Sequence, residues 1–307
     1  MTLAVEARAL ERSFGDVVAV DGVDLAVAEG EVLGLVGPDG AGKTTLIRML
    51  TGVLARDAGT VAIHGHDLDR ERDRTRLLLG YMSQAFGLYE DLTVAENIRF
   101  FASLRRVPGP VRREREERLL GFTRLTPFTG RAAGDLSGGM KQKLGLICTL
   151  VHEPRVLFLD EPTNGVDPVS RREFWDILGE IRGRVTVIVA TPYMDEAERC
   201  DRVALMAGGR FLALDTPDAL RAAVRDPVWE VETGRPFLAA EVVHDALPGA
   251  EVTLFGDLLH VVGPPDAGPV AAALSAAGHA ARTTRIPPSM EDAYVRLARA
   301  AAPGGVP

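Results

Sequence analysis

The feature that most restricts the fold of this chain is a glycine-rich run, Gly37-Pro38-Asp39-Gly40-Ala41-Gly42-Lys43-Thr44. It has the pattern G-x-x-x-x-G-K-[ST] and follows an apolar segment, Glu31–Val36, whose composition predicts a short buried strand. The glycines let successive backbone N–H groups turn toward phosphate oxygens, and the following helix adds its positive N-terminal end. Strand, glycine loop and helix in this order predict a parallel α/β sheet with a phosphate site at its edge.

Side chains in and after this run predict a Mg²⁺–ATP site. Lys43 would reach the β- and γ-phosphates, and the Thr44 hydroxyl would be a Mg²⁺ ligand. Thr45 is either a further donor or simply the next residue at the helix N-terminus. The candidate ATP-binding residues of the run are Gly37, Pro38, Asp39, Gly40, Ala41, Gly42, Lys43, Thr44 and Thr45.

A second apolar segment, 156–159, ends in two carboxylates, Asp160 and Glu161. A buried strand of this kind delivers the residues that follow it to the sheet edge where ligands bind in open α/β folds. Asp160 is a candidate for the Mg²⁺ shell through water, and Glu161 is a candidate general base that polarises the attacking water. The alternative is an ordinary strand end, which the neighbouring phosphate motif makes the weaker interpretation.

Composition limits the class of protein. The 307 residues, 46% of them hydrophobic, suffice for one large domain and a small appendage, and the net charge of −8 is unfavourable for a nucleic-acid partner. No apolar run approaches the ~20 residues that span a bilayer, and Glu6 and Glu11 interrupt the place of a secretory signal. Cys148 and Cys200 lack metal-type spacing, as is typical of reduced thiols in a cytosolic protein. We therefore expect membrane contact only through a partner chain.

Changes of composition also predict how the chain is organised. Alternating apolar residues between 3 and 27 predict short antiparallel strands joined at Gly15 and Gly22. Residues from about 86 to 150 predict an inserted helical subdomain, in which the charged run 112–118 is a solvated helix face. The composition shifts again near residue 226. The predicted domains are a nucleotide-binding domain over 1–222 and a small α+β module over 223–307.

A third motif, Leu136-Ser137-Gly138-Gly139-Met140-Lys141-Gln142, carries a resemblance to a known family. This LSGGxxQ-like run marks ATP-binding cassette (ABC) proteins, which the chain resembles over about residues 3–220. Three further matches agree in order: Gln84 in YMSQ, the D-loop-like run 164–167, and Phe14. The resemblance implies an α/β P-loop NTPase fold, the ABC nucleotide-binding domain. It has a mixed or parallel sheet, an N-terminal antiparallel β subdomain and the helical insertion, followed here by the C-terminal α+β module.

The resemblance also assigns expected roles. Gln84 would sense Mg²⁺ and link to the membrane domain, and Phe14 would stack on adenine. Ser137, Gly138 and Gly139, with Asp167, would act in trans on the ATP held by a second cassette, because Ser137 caps a helix whose glycines leave its first amides bare. The implied assembly is a two-fold homodimer, or a heterodimer with a related cassette, beneath a separate transmembrane permease. The expected location is the cytoplasmic face of the cell membrane, with the permease meeting the surface near Gln84 and residues 86–91.

Three further runs favour a particular branch of the family. They are LSGGMKQKLGL at 136–146, the DEPTNGVDP run at 160–168 and the DEAERCDRVALM run at 195–206, and they are similar to those of ABC-2-type exporter ATPases. The segment 288–294, PSMEDAY, is similar to a motif near the end of their C-terminal extensions. These matches favour an exporter over an importer. The C-terminal module would help to dimerise or regulate the protein, or it would be a passive packing domain.

Two residues depart from the family pattern. The family normally has a histidine that contacts the γ-phosphate where this chain has Pro192, and proline offers neither a side-chain donor nor a backbone N–H. Asp39 stands where asparagine is usual, and a carboxylate near phosphates is unfavourable unless it turns outward or meets a cation. We therefore hypothesise slow hydrolysis in a homodimer, or a site completed by a non-identical cassette. The spacing of His64 and His66 suggests a metal site, but a surface turn is the preferred interpretation.

Two alternatives to a transport motor stay open. One is a regulatory cassette that binds ATP without useful turnover; Pro192 favours it and Glu161 opposes it. The other is a cassette ATPase that acts on ribosomes or DNA, although such proteins usually carry two cassettes, a coiled coil or zinc cysteines. The sequence does not name the cargo.

Overall fold

The computed structural model describes residues 2–84 and 87–301, which form two compact units, Met1–Leu214 and Asp215–Pro307. The division lies earlier than the boundary at 222 proposed from composition. The reason is that helix α8 (Pro217–Ala222) packs against the C-terminal helix α11 (Met290–Ala301) of the second unit. No helix in the described part of the chain is both long enough and apolar enough to cross a bilayer.

A six-stranded sheet organises the first unit, and the strand order is β10-β9-β3-β8-β7-β6. Its strands are β3 (Val32–Val36), β6 (Leu79–Met82), β7 (Val156–Asp160), β8 (Thr186–Thr191), β9 (Arg202–Ala207) and β10 (Arg210–Asp215). Every residue of β3, β7 and β8 is buried, as their unbroken apolar sequences predict. Because β3 and β7 both pair in parallel with β8, their carboxyl ends meet at one edge.

A second, antiparallel sheet has the order β2-β1-β4-β5. Its strands are β1 (Leu3–Phe14), β2 (Val17–Ala28), β4 (Ala58–Ile63) and β5 (His66–Asp67). Gly15 forms the predicted turn, but the turn predicted at Gly22 is wrong. Gly22 lies inside β2 with φ 63°, in the irregular stretch of register between the Leu10–Val23 and Arg12–Val20 pairs. Glycine here allows a distortion within one long strand rather than a chain reversal.

His64 occupies the predicted turn between β4 and β5, with φ 47°. Its imidazole is mostly buried, and Nδ1 lies 2.9 Å from Oε1 of Glu29. Among the described residues, no group of three or more His, Cys, Asp or Glu side chains could hold a metal ion. The predicted turn is present at His64 and Gly65, but the His64 side chain is mostly buried and His66 begins β5.

The helices of the first unit are α1 (Lys43–Leu50), α2 (Arg72–Leu78), α3 (Val94–Leu104), α4 (Gly109–Thr123), α5 (Gly138–Leu150), α6 (Pro168–Ile181) and α7 (Met194–Ala197). Helix α3 begins at a capping box, because Thr93 and Glu96 satisfy each other's backbone N–H groups. The charged run 112–118 lies in α4, where Arg112 pairs with Glu116, and Arg115 and Arg118 pair with Glu153. The prediction of a helix face with paired charges is thus confirmed.

The second unit is the predicted α+β module. Its antiparallel sheet has the order β12-β13-β11-β14, with strands β11 (Val228–Thr233), β12 (Glu251–Phe255), β13 (Leu258–Val262) and β14 (Ala281–Ile286). Helices α9 (Pro236–Ala246) and α10 (Gly268–Ala276) join α8 and α11 in this unit. The side chains of His260 in β13 and Asp292 in α11 meet in its interior, with Nδ1 and Oδ1 3.0 Å apart.

Candidate nucleotide-binding site

The glycines at the ends of the phosphate motif are required by the space around them. A Cβ on Gly37 would lie under 3.0 Å from the carbonyl oxygen of Met206, closer than real Cβ atoms come. Gly42 has φ +103°, and a Cβ there would collide with the carbonyl oxygen of Ala19. Gly40 also has a positive φ, +78°. The loop between β3 and α1 can therefore follow this path only with glycine at these positions.

Lys43 is buried, 3% exposed, and its ammonium group lies over the loop. Nζ donates hydrogen bonds to the carbonyl oxygens of Gly37 at 2.7 Å and Pro38 at 2.9 Å. Burial lowers the pKa of Lys43, against the opposing charges of Glu161, Asp39 and Asp160. Nζ is also 3.9 Å from Oε1 of Glu161, so the motif lysine and the candidate base share one site.

Asp160 and Thr44 place two oxygen atoms side by side at the sheet edge. The Thr44 hydroxyl donates to Oδ1 of Asp160 at 2.8 Å, and Asp160 is 0% exposed. Burial raises the pKa of Asp160, while the bond from Thr44 and the charge of Arg48 lower it. Mg²⁺ prefers oxygen ligands and is often held by one or two protein groups together with phosphates and waters. The pair therefore fits the expected cation.

Glu161 has the unusual backbone of the site, with φ 49° in the left-handed region. Its backbone N–H donates to the carbonyl oxygen of Ala190 at the end of β8, at 2.9 Å. Its carboxylate accepts hydrogen bonds from the side-chain amides of Gln84 at 2.9 Å and Asn164 at 3.1 Å. Burial raises the pKa of Glu161, which moves the group toward the range of a general base.

Asp39, the unusual residue of the motif, is exposed but acts on the site by its charge. It raises the pKa of both Lys43 and Glu161. The carboxylate is exposed, which is one of the two conditions that the sequence argument set, and its charge opposes the lowering of the Lys43 pKa by burial. Thr45 lies half-buried next to Thr44 in α1.

Pro192 directly follows β8, two residues after the Ala190 carbonyl that binds Glu161. The threonine before it, Thr191, donates its hydroxyl to Oε2 of Glu196 at 2.6 Å. Oε1 of Glu196 accepts the Thr163 hydroxyl, also at 2.6 Å. These buried bonds tie the loop after Glu161 to the segment that carries Pro192, so the proline stands close to the chemistry and brings no donor to it.

Phe14 and Ser137 lie on elements other than the phosphate loop and α1. Phe14 ends β1, is 48% exposed and has the Arg12 guanidinium 4.8 Å from its ring centroid. Ser137 caps α5, because its hydroxyl accepts the Met140 N–H at 3.3 Å. An exposed ring and an open helix start are compatible with stacking and with action in trans, and both roles stay predictions.

The two glycines after Ser137 differ. Gly138 is exposed, and a Cβ there would meet nothing within 4 Å. Gly139 is buried, and its Cβ would lie under 3.0 Å from both Cβ and Oγ of Ser170 in α6. Glycine at 139 therefore allows α5 to pack closely on α6. From the sequence, the only reason for both glycines is the bare amides that they leave at the helix start. Asp167 caps α6 by accepting the N–H groups of Val169 and Ser170.

Sequence reasoning missed two contacts of the site. Asn164 binds the candidate base directly, and its place three residues after Glu161 in a tight loop was the available signal. The Tyr81 hydroxyl lies 3.5 Å from Oδ2 of Asp160. Tyr81 stands three residues before Gln84 in a strand that reads as ordinary core, so nothing in its local sequence marked it.

Comparison with known proteins places this site in a family. Residues 20–164 match the model of the ABC transporter family. The chain is also 35% identical, over 299 residues, to the Nod factor export ATP-binding protein I of Rhizobium sp. (strain N33), covering 96% of this chain and 97% of that protein. The chain belongs to the ABC transporter family. The predicted family is therefore confirmed, and cassettes of this family bind ATP.

Two further comparisons extend this assignment. The chain is 53% identical over 232 residues to the probable multidrug ABC transporter ATP-binding protein YbhF of Escherichia coli (strain K12), covering 75% of this chain but only 39% of that protein. The structure of cbiO1 from Clostridium perfringens, part of the ABC transporter complex cbiONQ, matches with a TM-score of 0.66 and 26% identity, covering 81% of this chain and 97% of that one. The predicted fold class of an ABC cassette is confirmed.

Proposed function

We propose that this ABC cassette hydrolyses Mg²⁺–ATP and that hydrolysis drives export by a separate transmembrane partner at the cytoplasmic face of the cell membrane. The position of Glu161 carries the proposal. It is a buried carboxylate with a raised pKa, 3.9 Å from the motif lysine and held by Gln84 and Asn164. A cassette that only binds nucleotide would not need a base held in this way.

The residues divide the work of hydrolysis. Lys43 leaves the loop carbonyls to bind the β- and γ-phosphates, and the amides of the loop surround them. Thr44, Asp160 and the Gln84 carbonyl oxygen would hold the Mg²⁺, which when bound neutralises charge on the β- and γ-phosphate oxygens. Glu161 accepts a proton from the attacking water, and Phe14 stacks on the adenine.

A second cassette completes the proposed site. Ser137, Gly138 and Asp167 present exposed or open helix starts, and none of them is among the side chains that contact Lys43 or Glu161 in the described contacts of one chain. We propose that they act on the nucleotide of the opposite cassette. Both a homodimer and a heterodimer with a related cassette provide these groups.

A cleft of about 760 Å³ beside Tyr81 is our candidate surface for the membrane partner. Three exposed apolar side chains, Val53, Leu77 and Leu104, line it together with three arginines, Arg76, Arg105 and Arg106. Tyr81, which lines this cleft, stands three residues before Gln84 in the sequence. The wider surface expected at 86–91 includes Phe86, which lies outside the described residues, while Tyr89 within it is 48% exposed.

Export is supported by the names of the relatives. The Rhizobium protein is named for Nod factor export and the E. coli protein as a probable multidrug ABC transporter component. The second candidate function is a regulatory cassette with little turnover, and Pro192 favours it, since no donor replaces the usual histidine there. The unit Asp215–Pro307 is proposed as an accessory or dimerisation module.

The proposal is tested by measuring Mg²⁺-dependent ATP hydrolysis by the full chain and by Glu161→Gln and Pro192→His variants. We expect measurable turnover in the wild type and a fall of at least about 100-fold in kcat for Glu161→Gln, with ATP binding retained. Chelation of Mg²⁺ should abolish hydrolysis. A silent wild type that gains turnover in Pro192→His would instead support the regulatory cassette.

A further inference from the structure

Tyr81 contacts the carboxylate that the proposed site uses for its cation. It lies in β6, which pairs in parallel with β7, and its hydroxyl is 3.5 Å from Oδ2 of Asp160. The other oxygen, Oδ1, accepts the Thr44 hydroxyl at 2.8 Å. The two oxygens of one carboxylate therefore have different partners, one from helix α1 and one from the neighbouring strand.

Arg48 acts on both Tyr81 and Asp160. Thr44 and Arg48 are four residues apart in α1, so their side chains lie on the same face of the helix. Burial raises the pKa of Tyr81 and the neighbouring Arg48 opposes this, while the charge of Arg48 also favours the ionised form of Asp160. Because an ionised carboxylate only accepts hydrogen bonds, the Tyr81 hydroxyl is the donor to Oδ2 of Asp160.

The packing of Tyr81 allows its hydroxyl to be tested apart from its ring. The ring is half-buried, packs against the main hydrophobic core and forms part of the cleft wall. A phenylalanine would keep these contacts and remove only the hydroxyl. Since Asp160 is 0% exposed, water does not readily replace the lost donor at Oδ2.

We propose that Tyr81 is a positioning residue for Asp160, whose Oδ2 it holds so that Oδ1, beside Thr44, faces the divalent cation. The proposal rests on the proposed function, because it needs Mg²⁺ at Thr44 and Asp160. Tyr81 acts on the cation only through Asp160. At 3.5 Å the contact is longer than an ordinary O–H···O hydrogen bond, so its loss should shift cation affinity without abolishing it.

The experiment measures binding of a fluorescent ATP analogue by the full chain, in the Glu161→Gln background so that turnover does not interfere. Affinity is determined in EDTA and over a series of Mg²⁺ concentrations for the parent, Tyr81→Phe and Arg48→Gln. Tyr294→Phe, in the second unit, is the matched control. For Tyr81→Phe we expect unchanged affinity in EDTA and a half-saturating Mg²⁺ concentration raised about threefold to tenfold. Arg48→Gln should shift it in the same direction.

Each other outcome is decisive. The proposal is overturned if Tyr81→Phe has the same half-saturating Mg²⁺ concentration as the parent. Equal weakening with and without Mg²⁺ also overturns it, because Tyr81 would then act through packing. If the Glu161→Gln parent binds the analogue but the wild-type protein does not hydrolyse ATP, the proposed turnover is contradicted while the test of Tyr81 still holds. A parent that binds no nucleotide sinks both.

Discussion

At the scale of single residues, burial sets the protonation of groups that never touch the site. His152 follows α5, and its Nε2 lies 3.0 Å from the carbonyl oxygen of Leu79 at the start of β6. Burial, with the charges of Arg105 and Arg115, lowers the pKa of His152 from 6.5 to about 4. The imidazole therefore stays neutral in the folded protein and donates to the strand.

This histidine predicts a pH-dependent stability. Its folded pKa is depressed, so the unfolded chain binds the extra proton between pH 6.5 and about 4. The stabilisation is complete above pH 6.5 and is lost as the pH falls toward 4, by at most about 3 kcal/mol. Urea unfolding at pH 5 and pH 7 should show a smaller loss at low pH in His152→Gln than in the wild type. His244→Gln, at an exposed position in α9, should show the same difference in the free energy of unfolding between pH 5 and pH 7 as the wild type. An equal difference in all three proteins would contradict the prediction.

Site residues that belong to a short sequence motif could be predicted from the sequence. Residues that reach the site only through tertiary contacts could not. The spacing of Gly37, Lys43 and Thr44 and the pair Asp160–Glu161 located the candidate site, because each belongs to a short run with its own physical logic. Tyr81 is brought to Asp160 only by the pairing of β6 with β7. That pairing joins residues about eighty positions apart, which no local pattern encodes.

At the scale of elements, the junction of α5 and α6 depends on one missing side chain. Gly139→Ala should lower the free energy of unfolding by about 1–3 kcal/mol, because the new Cβ overlaps the Cβ of Ser170, which no rotation can move away. Gly138→Ala is the matched control and should change stability little, since its Cβ meets nothing within 4 Å. Thermal or urea unfolding measures both.

A double variant tests whether overlap with Ser170 causes the stability loss expected in Gly139→Ala. Ser170→Gly removes the atoms that the methyl group introduced by Gly139→Ala would strike, but it keeps the backbone N–H that Asp167 accepts. Adding it to Gly139→Ala should recover most of the lost stability. If the double variant is no more stable than the sum of the two single changes, the packing explanation is wrong.

Elements with one dominant pattern were predictable, and irregular ones were not. The buried strands β3, β7 and β8 and the charged helix α4 follow from apolar runs and from paired charges. The long strand β2 was divided wrongly, because Gly22 has the same local signature in a bulge as in a turn. Pairing with β1 over most of β2 overrides that local preference.

At the scale of the whole molecule, the chain has two compact units, and the second has its own buried polar anchor. Asp292 accepts the N–H and hydroxyl of Ser289 at 2.8 Å each and meets Nδ1 of His260 at 3.0 Å. Although burial would raise its pKa, these hydrogen bonds from His260 and Ser289 lower the pKa of Asp292. The segment 288–294, noted in the sequence only as a family-like run, thus fastens α11 to the sheet of its own unit.

Asp292→Ala should loosen this unit. His260 loses its buried partner, and the expected loss of local stability is about 2–3 kcal/mol. Hydrogen exchange should show faster amide exchange in β13 and α11, with the partly exposed neighbour variant Glu291→Ala unchanged. Wild-type protection in Asp292→Ala would show that the anchor contributes nothing. The composition shift near residue 226 suggested this unit, but its start at Asp215 follows from the α8–α11 contact, which only the fold reveals.

The left-handed backbone of Glu161 has a consequence for how this chain responds to selection. Glycine adopts φ 49° without strain, whereas any other L-residue there is disfavoured, by about 1 kcal/mol. Glu161→Gly would therefore relieve this backbone cost, but it would also remove the proposed base and its contacts with Gln84 and Asn164. Glutamate at position 161 thus keeps a backbone conformation that glycine would adopt at lower cost, and the proposed turnover explains why the backbone and the chemistry favour different residues there.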